Sequence, residues 1–131
     1  MPGLQDLLNM LKSHHIKTAI ASSSPHNHIE LILNRLNVRH YFDKIISGDD
    51  VKHGKPAPDI FLKAAELLGL NPKDCMVIED APTGVTASNR AEITVIAVPN
   101  EFTRKHSFDN ADLIVNSLSD ISWDKLVNLT I

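Results

Sequence analysis

Residues 75–85, Cys75-Met-Val-Ile-Glu79-Asp80-Ala-Pro-Thr-Gly-Val85, decide how the rest of the chain is read. A short unbroken apolar run predicts a strand buried on both faces, and two carboxylates stand directly behind it. Outward from that point the same alternation recurs. Upstream, Phe61, Ala64, Ala65 and Leu68 make one helical stripe, with Pro58 near its start and Gly69 just past its end. Before it lie the strand-like Lys44–Ser47 and a stripe of Ile29, Ile32, Leu33 and Leu36. Thr18–Ser22 reads as another buried strand, preceded by the stripe Leu4, Leu7, Leu8 and Leu11. Downstream, a short helix over about residues 83–91 leads to the strand Thr94–Val98. A weaker strand at Leu113–Val115 and a last helix near 120–129 follow. Strands and helices alternating at this spacing imply right-handed crossovers and an α/β fold, a Rossmann-like parallel sheet sandwiched by helices.

The chain has 131 residues, 43% of them hydrophobic, which suits a single domain over residues 1–131. A net charge of -3 supplies no basic field for nucleic acid. The one cysteine excludes an internal disulfide and fits a reducing, cytoplasmic location. No run is apolar enough to predict a membrane span, and the first fifteen residues carry polar groups too often for a secretory leader. The seven histidines form no metal set, and Trp123 and Phe102 are expected in packing.

In parallel α/β sheets ligands bind beyond the carboxyl ends of the strands. Behind the first strand stand Ser22-Ser23-Ser24-Pro25, small donors able to meet an anion or, as such serines taken alone more often do, to make a helix cap and turn. Behind the second, Lys55 lies between Gly54 and Pro56. It is either a fixed ammonium for a phosphate oxygen or an exposed loop lysine. Behind the third, Glu79 and Asp80 would repel each other unless a cation such as Mg²⁺ sits beside them, or Asp80 caps the next helix. Hydroxyl, ammonium and paired carboxylates on successive strands suit a phosphate and its metal.

On the stretches IKTAIASSSP, GDDVKHGKPAPDIFLKAAELLG, CMVIEDAPTGVTAS and ITVIAVPN, the chain resembles the haloacid dehalogenase superfamily, nearest its β-phosphoglucomutase and small phosphatase branch. The resemblance implies an Mg²⁺-dependent phosphatase or phosphomutase acting on a small phosphorylated metabolite through an aspartyl-phosphate. It implies that Ser22 binds the phosphoryl group through its hydroxyl and Ser23 through its N–H. Lys55 would steady the phosphorylated intermediate, and Asp80 with Glu79 would hold the metal, Glu79 directly or through water.

One part of the family pattern is missing. No two of the eleven aspartates stand two residues apart, so the Asp-x-Asp pair carrying the nucleophile is absent. The sequence therefore reads as the C-terminal core of such an enzyme, truncated, without its first central strand and cap, and inactive alone. The alternative is a non-catalytic remnant with a binding or regulatory role. The missing strand would lie between those ending at Ser22 and Asp80. The two must then either pair directly or leave an open slot that favours self-association. Glu92 stands where a left-handed residue is expected. A phosphoacceptor receiver domain would carry its acids first and lysine last, the reverse of this order. A dinucleotide site would need a G-x-G-x-x-G, which is absent.

Overall fold

A computed structural model describes residues 2–130. Met1 and Ile131, the ends of the expected 1–131 unit, lie outside the described residues. The order is α1 (Leu4–Ser13), β1 (Ala19–Ser22), α2 (His26–Arg35), β2 (Lys44–Ser47), α3 (Asp59–Leu68), β3 (Met76–Glu79), α4 (Pro82–Arg90), β4 (Thr94–Ala97), β5 (Leu113–Ile114) and α5 (Trp123–Leu129). The expected last helix starts later, because residues 118–120 form a 3-10 turn and Ser122 caps α5 by accepting the Lys125 N–H.

Every strand pairing is parallel, but the sheet is divided. Among the described residues β1 pairs only with β2, and β3, β4 and β5 form a second sheet in that order. β1 and β3 share no ladder, so of the two expected outcomes the direct pairing is not realised. Side chains bridge what the backbones do not. On one face Ala19, Ala21 and Ile46 pack in the same cluster as Val77, Val95 and Ala97, beneath Ile60, Phe61 and Ala64 of α3 and Val85 of α4. On the other face α1 straddles the division. Its Leu7 joins Ile96, Val115, Ile121 and Leu126, while Leu8 joins Ile29, Leu33 and Val38. Ile46, Ile60 and Ile96 are fully buried, each worth about 1.5–3 kcal/mol relative to exposure. Two helices thus hold together strands that exchange no hydrogen bonds.

Four of the helices stop in the same way. His15, Asn37, Gly69 and Glu92 have φ of 58°, 60°, 74° and 59°. Each is followed by a residue whose N–H reaches back into the last turn, as from Ile93 to the Ser88 carbonyl at 2.9 Å. Glu92 therefore adopts the left-handed conformation expected from its position, at a cost of about 1 kcal/mol for a residue with a Cβ. Trp123 packs as expected, against the cluster of Leu7 and Leu126 and over His14 at 3.6 Å between ring centres. Phe102 does not: it lies in the turn after β4 and is 76% exposed. No helix among the described residues is long and apolar enough to cross a membrane.

Candidate functional site

The register sets Ser22 beside Ser47, so β1 and β2 end level with each other. The chain beyond Ser22 turns sharply, with the Ser24 N–H donating to Ser22 Oγ at 3.2 Å. Pro25, not a serine, stands at the N-cap of α2, and no side chain caps that helix. Of the structural reading of the three serines, the turn is realised and the helix cap is not. Their turn is held from below by a residue that sequence reading missed. Ser47 is fully buried, donates to the Ser24 carbonyl at 2.7 Å and accepts the Asp49 N–H at 3.1 Å. Gly48 explains the tight fit. A Cβ there would lie 2.7 Å from the Ser23 carbonyl oxygen, so only glycine lets the two loops approach. A second unforeseen contact joins the same loops on the rim, where His26 Nε2 and Asp50 Oδ2 are 2.6 Å apart.

Lys55 is not an exposed loop lysine. Its side chain is 13% exposed, and the Lys55–Pro56 peptide that follows is cis. Nζ donates to the Ala21 carbonyl of β1 at 3.3 Å and to Glu79 Oε2 of β3 at 2.9 Å, and lies 5.1 Å from the centre of the Phe61 ring. One ammonium thus spans the strands that share no ladder, next to Ser22.

Glu79 and Asp80 are adjacent but live in different surroundings. The Glu79 side chain is 9% exposed. Its Oε1 accepts the N–H groups of Asp80 and Ala81 at 3.2 and 3.3 Å, and its Oε2 faces Lys55. Burial pushes its carboxyl above the usual 4.5, and the Lys55 ammonium offsets only part of that rise. Asp80 is exposed and caps nothing, since Ala81 is the N-cap of α4 and no side chain serves there. Asn100 Nδ2 donates to Asp80 Oδ2 at 3.0 Å, and Thr103 Oγ1 donates to the Asp80 carbonyl at 2.7 Å. Neither residue was singled out in the sequence. The available signal was Asn100-x-x-Thr103 directly behind the Pro99 that ends the fourth strand, a pattern that favours side-chain-to-backbone turns.

The raised Glu79 pKa has a sign that can be measured. Between 4.5 and its higher folded value, the native state binds more protons than the unfolded chain. Stability contributed by this group therefore falls as pH rises through that window. The stability difference between the natural chain and Glu79→Gln is expected to decline across the window and to flatten on both sides. Denaturant titrations at a series of pH values would read it; a difference rising with pH would contradict the assignment.

Among the described residues no three side chains of metal-binding type cluster together. Mg²⁺ does not require three, because it keeps several waters and binds one or two carboxylates together with substrate phosphate. Asp80 fits that role, being exposed and bonded by a neutral donor on one oxygen only. Glu79 is engaged by Lys55 and two backbone donors, which suits an outer position better than a direct one.

The family model of haloacid dehalogenase-like hydrolases matches residues 1–98. A bifunctional riboflavin kinase/FMN phosphatase from Arabidopsis thaliana is 41% identical over 126 residues, covering 95% of this chain and 33% of that protein. A β-phosphoglucomutase from Bacillus subtilis is 37% identical over 126 residues, covering 96% of this chain and 53% of the relative. The crystal structure of CbbY from Rhodobacter sphaeroides in complex with phosphate superposes with a TM-score of 0.87 at 30% identity, over 91% of this chain and 54% of that one. The chain thus spans between a third and just over half of the length of these relatives.

Proposed function

The chain belongs to the haloacid dehalogenase-like hydrolase family, and from that premise we propose that it forms the phosphate-binding core of an Mg²⁺-dependent phosphatase or phosphomutase. Its substrate is a small phosphorylated metabolite, and its location is the cytoplasm. The observation that carries this reading is the Lys55 ammonium, held between Glu79 and the Ala21 carbonyl at the strand ends. Phosphoryl transfer is chiefly positioning and neutralisation of oxygen charge, and a cation anchored on two sides does both. Ser22 donates its hydroxyl to a phosphoryl oxygen, Ser23 adds a backbone N–H, and Lys55 neutralises a second oxygen. Asp80 holds Mg²⁺ directly, with Glu79 behind it through water. The ion, when bound, supplies charge that counters the phosphate oxygens.

The attacking carboxylate is not among these residues. The division between β1 and β3 suits a further parallel strand, and the nucleophile belongs at the end of such a strand. Residues 1–131 by themselves bind phosphate without turning it over, as a non-catalytic binding module would. The edges of β1 and β3, without a ladder partner among the described residues, are also where self-association is expected, read as a concentration-dependent mass in sedimentation.

Residues 1–131 mixed with an aryl phosphate and Mg²⁺ are expected to give no hydrolysis above background. Inorganic phosphate should still broaden its ³¹P resonance in their presence. Ser22→Ala is expected to weaken that binding about tenfold, the size of one hydrogen bond to a charged group. Hydrolysis that Asp80→Asn abolishes would overturn the inactivity of the isolated chain. Phosphate binding indifferent to Ser22 would overturn the site.

A further inference from the structure

The turn behind β4 builds a brace on Asp80 whose orientation is fully determined. Asn100 Oδ1 accepts the N–H groups of Phe102 and Thr103 at 2.8 and 3.0 Å. The amide nitrogen must therefore face the other way, toward Asp80 Oδ2 at 3.0 Å. Thr103 closes the arrangement, accepting the Asn100 N–H at 3.0 Å while donating to the Asp80 carbonyl. Side chain and backbone of Asp80 are thus both held by one short turn, although the residue itself is exposed.

The chemistry of this brace is selective. Asn100 is a neutral donor, so it fixes one carboxylate oxygen without cancelling the charge that attracts a cation. The remaining oxygen, Oδ1, can bind an ion through one contact, which is what small, octahedral Mg²⁺ takes. Larger Ca²⁺ gains from a carboxylate that turns both oxygens toward it. We propose that Asn100 is a positioning residue that holds Asp80 in a one-oxygen binding mode and thereby favours Mg²⁺ and Mn²⁺ over Ca²⁺. The proposal rests on the metal role of Asp80 given above.

The test needs no turnover. Free Mn²⁺ is counted by its electron paramagnetic resonance signal in the presence of the natural chain, Asp80→Asn and Asn100→Ser, with Mg²⁺ and Ca²⁺ as competitors. Serine keeps an oxygen that can accept the turn N–H groups but cannot reach Asp80. An unchanged unfolding midpoint would establish that Asn100→Ser keeps the turn, and Asn100→Thr provides a second variant of the same kind. Asp80→Asn is expected to weaken Mn²⁺ binding at least about tenfold. Asn100→Ser should weaken Mn²⁺ and Mg²⁺ about tenfold, the usual size of an effect from a residue behind a ligand, and Ca²⁺ much less. The Ca²⁺-to-Mg²⁺ preference would then rise about fivefold or more. An unchanged preference with Asp80→Asn still weakened would overturn the brace alone. Equal binding by the natural chain and Asp80→Asn, or none by either, would overturn the metal role on which it rests.

Discussion

Lys55→Met is expected to destabilise the protein by about 3 kcal/mol, the size of the loss when one partner of a buried ion pair is removed. The methionine fills similar space, so the loss comes from charge rather than volume. Glu79 would remain largely buried, with its two backbone donors but no cation. Its carboxyl is already pushed up by burial against the pull of Lys55, and without that pull it rises further, so the loss falls on the charged form of this one group. The double variant Lys55→Met/Glu79→Gln should therefore recover more than half of the lost stability. Denaturant midpoints at constant m-value report both numbers. A single variant within about 0.5 kcal/mol of the natural chain, the range of ordinary surface changes, would show that the pair contributes nothing and that the lysine is merely near the acid.

Gly84→Ala gives the second large effect, and its sign opposes helix propensity. Within α4 an alanine should gain close to 1 kcal/mol over glycine. Here a Cβ would fall 1.9 Å from Glu79 Cδ and 2.1 Å from the Oε2 that faces Lys55. A free side chain would swing away, but this one is pinned by an ammonium and two backbone N–H groups. Relief requires moving α4 or breaking the pair, so a net loss of about 3 kcal/mol is expected. Phosphate binding should weaken with it, since Lys55 loses its anchor. In a Glu79→Ala background the obstruction disappears, and Gly84→Ala should become neutral or mildly stabilising. Equal losses in both backgrounds would place the conflict somewhere other than the carboxylate.

These effects fall on residues whose partners could be read from the sequence only in part. Ser22, Lys55 and Asp80 announced themselves by following three apolar runs in the order of a phosphate site. The structure withholds the helix-capping role from the serines and from Asp80, since Pro25 and Ala81 stand at the helix starts, and it encloses Lys55. The serine turn and the exposed position of Asp80 are as a purely structural reading expects. Glu79 announced itself as half of an acidic pair, yet its firmest contacts are with Lys55, 24 residues away. Ser47 gave no chemical signal, and Asn100 only that of a turn. An amide and a hydroxyl become positioning groups only when another loop arrives within 3 Å, and sequence spacing does not encode that arrival.

The sequence by itself determined the helices, the strands and the parallel α/β layering, because each depends on a local period of apolar residues that one buried face enforces. It also determined that no Asp-x-Asp stands among these 131 residues, which is a matter of counting. The tertiary structure alone decided that β1 and β3 stay apart rather than pair directly, and that a lysine, rather than a ladder, spans the division. Backbone pairing needs two edges at one separation, and that separation follows from how α1 and α3 seat themselves across both sheets. Their packing is a property of the whole core, which no single stretch of the chain carries.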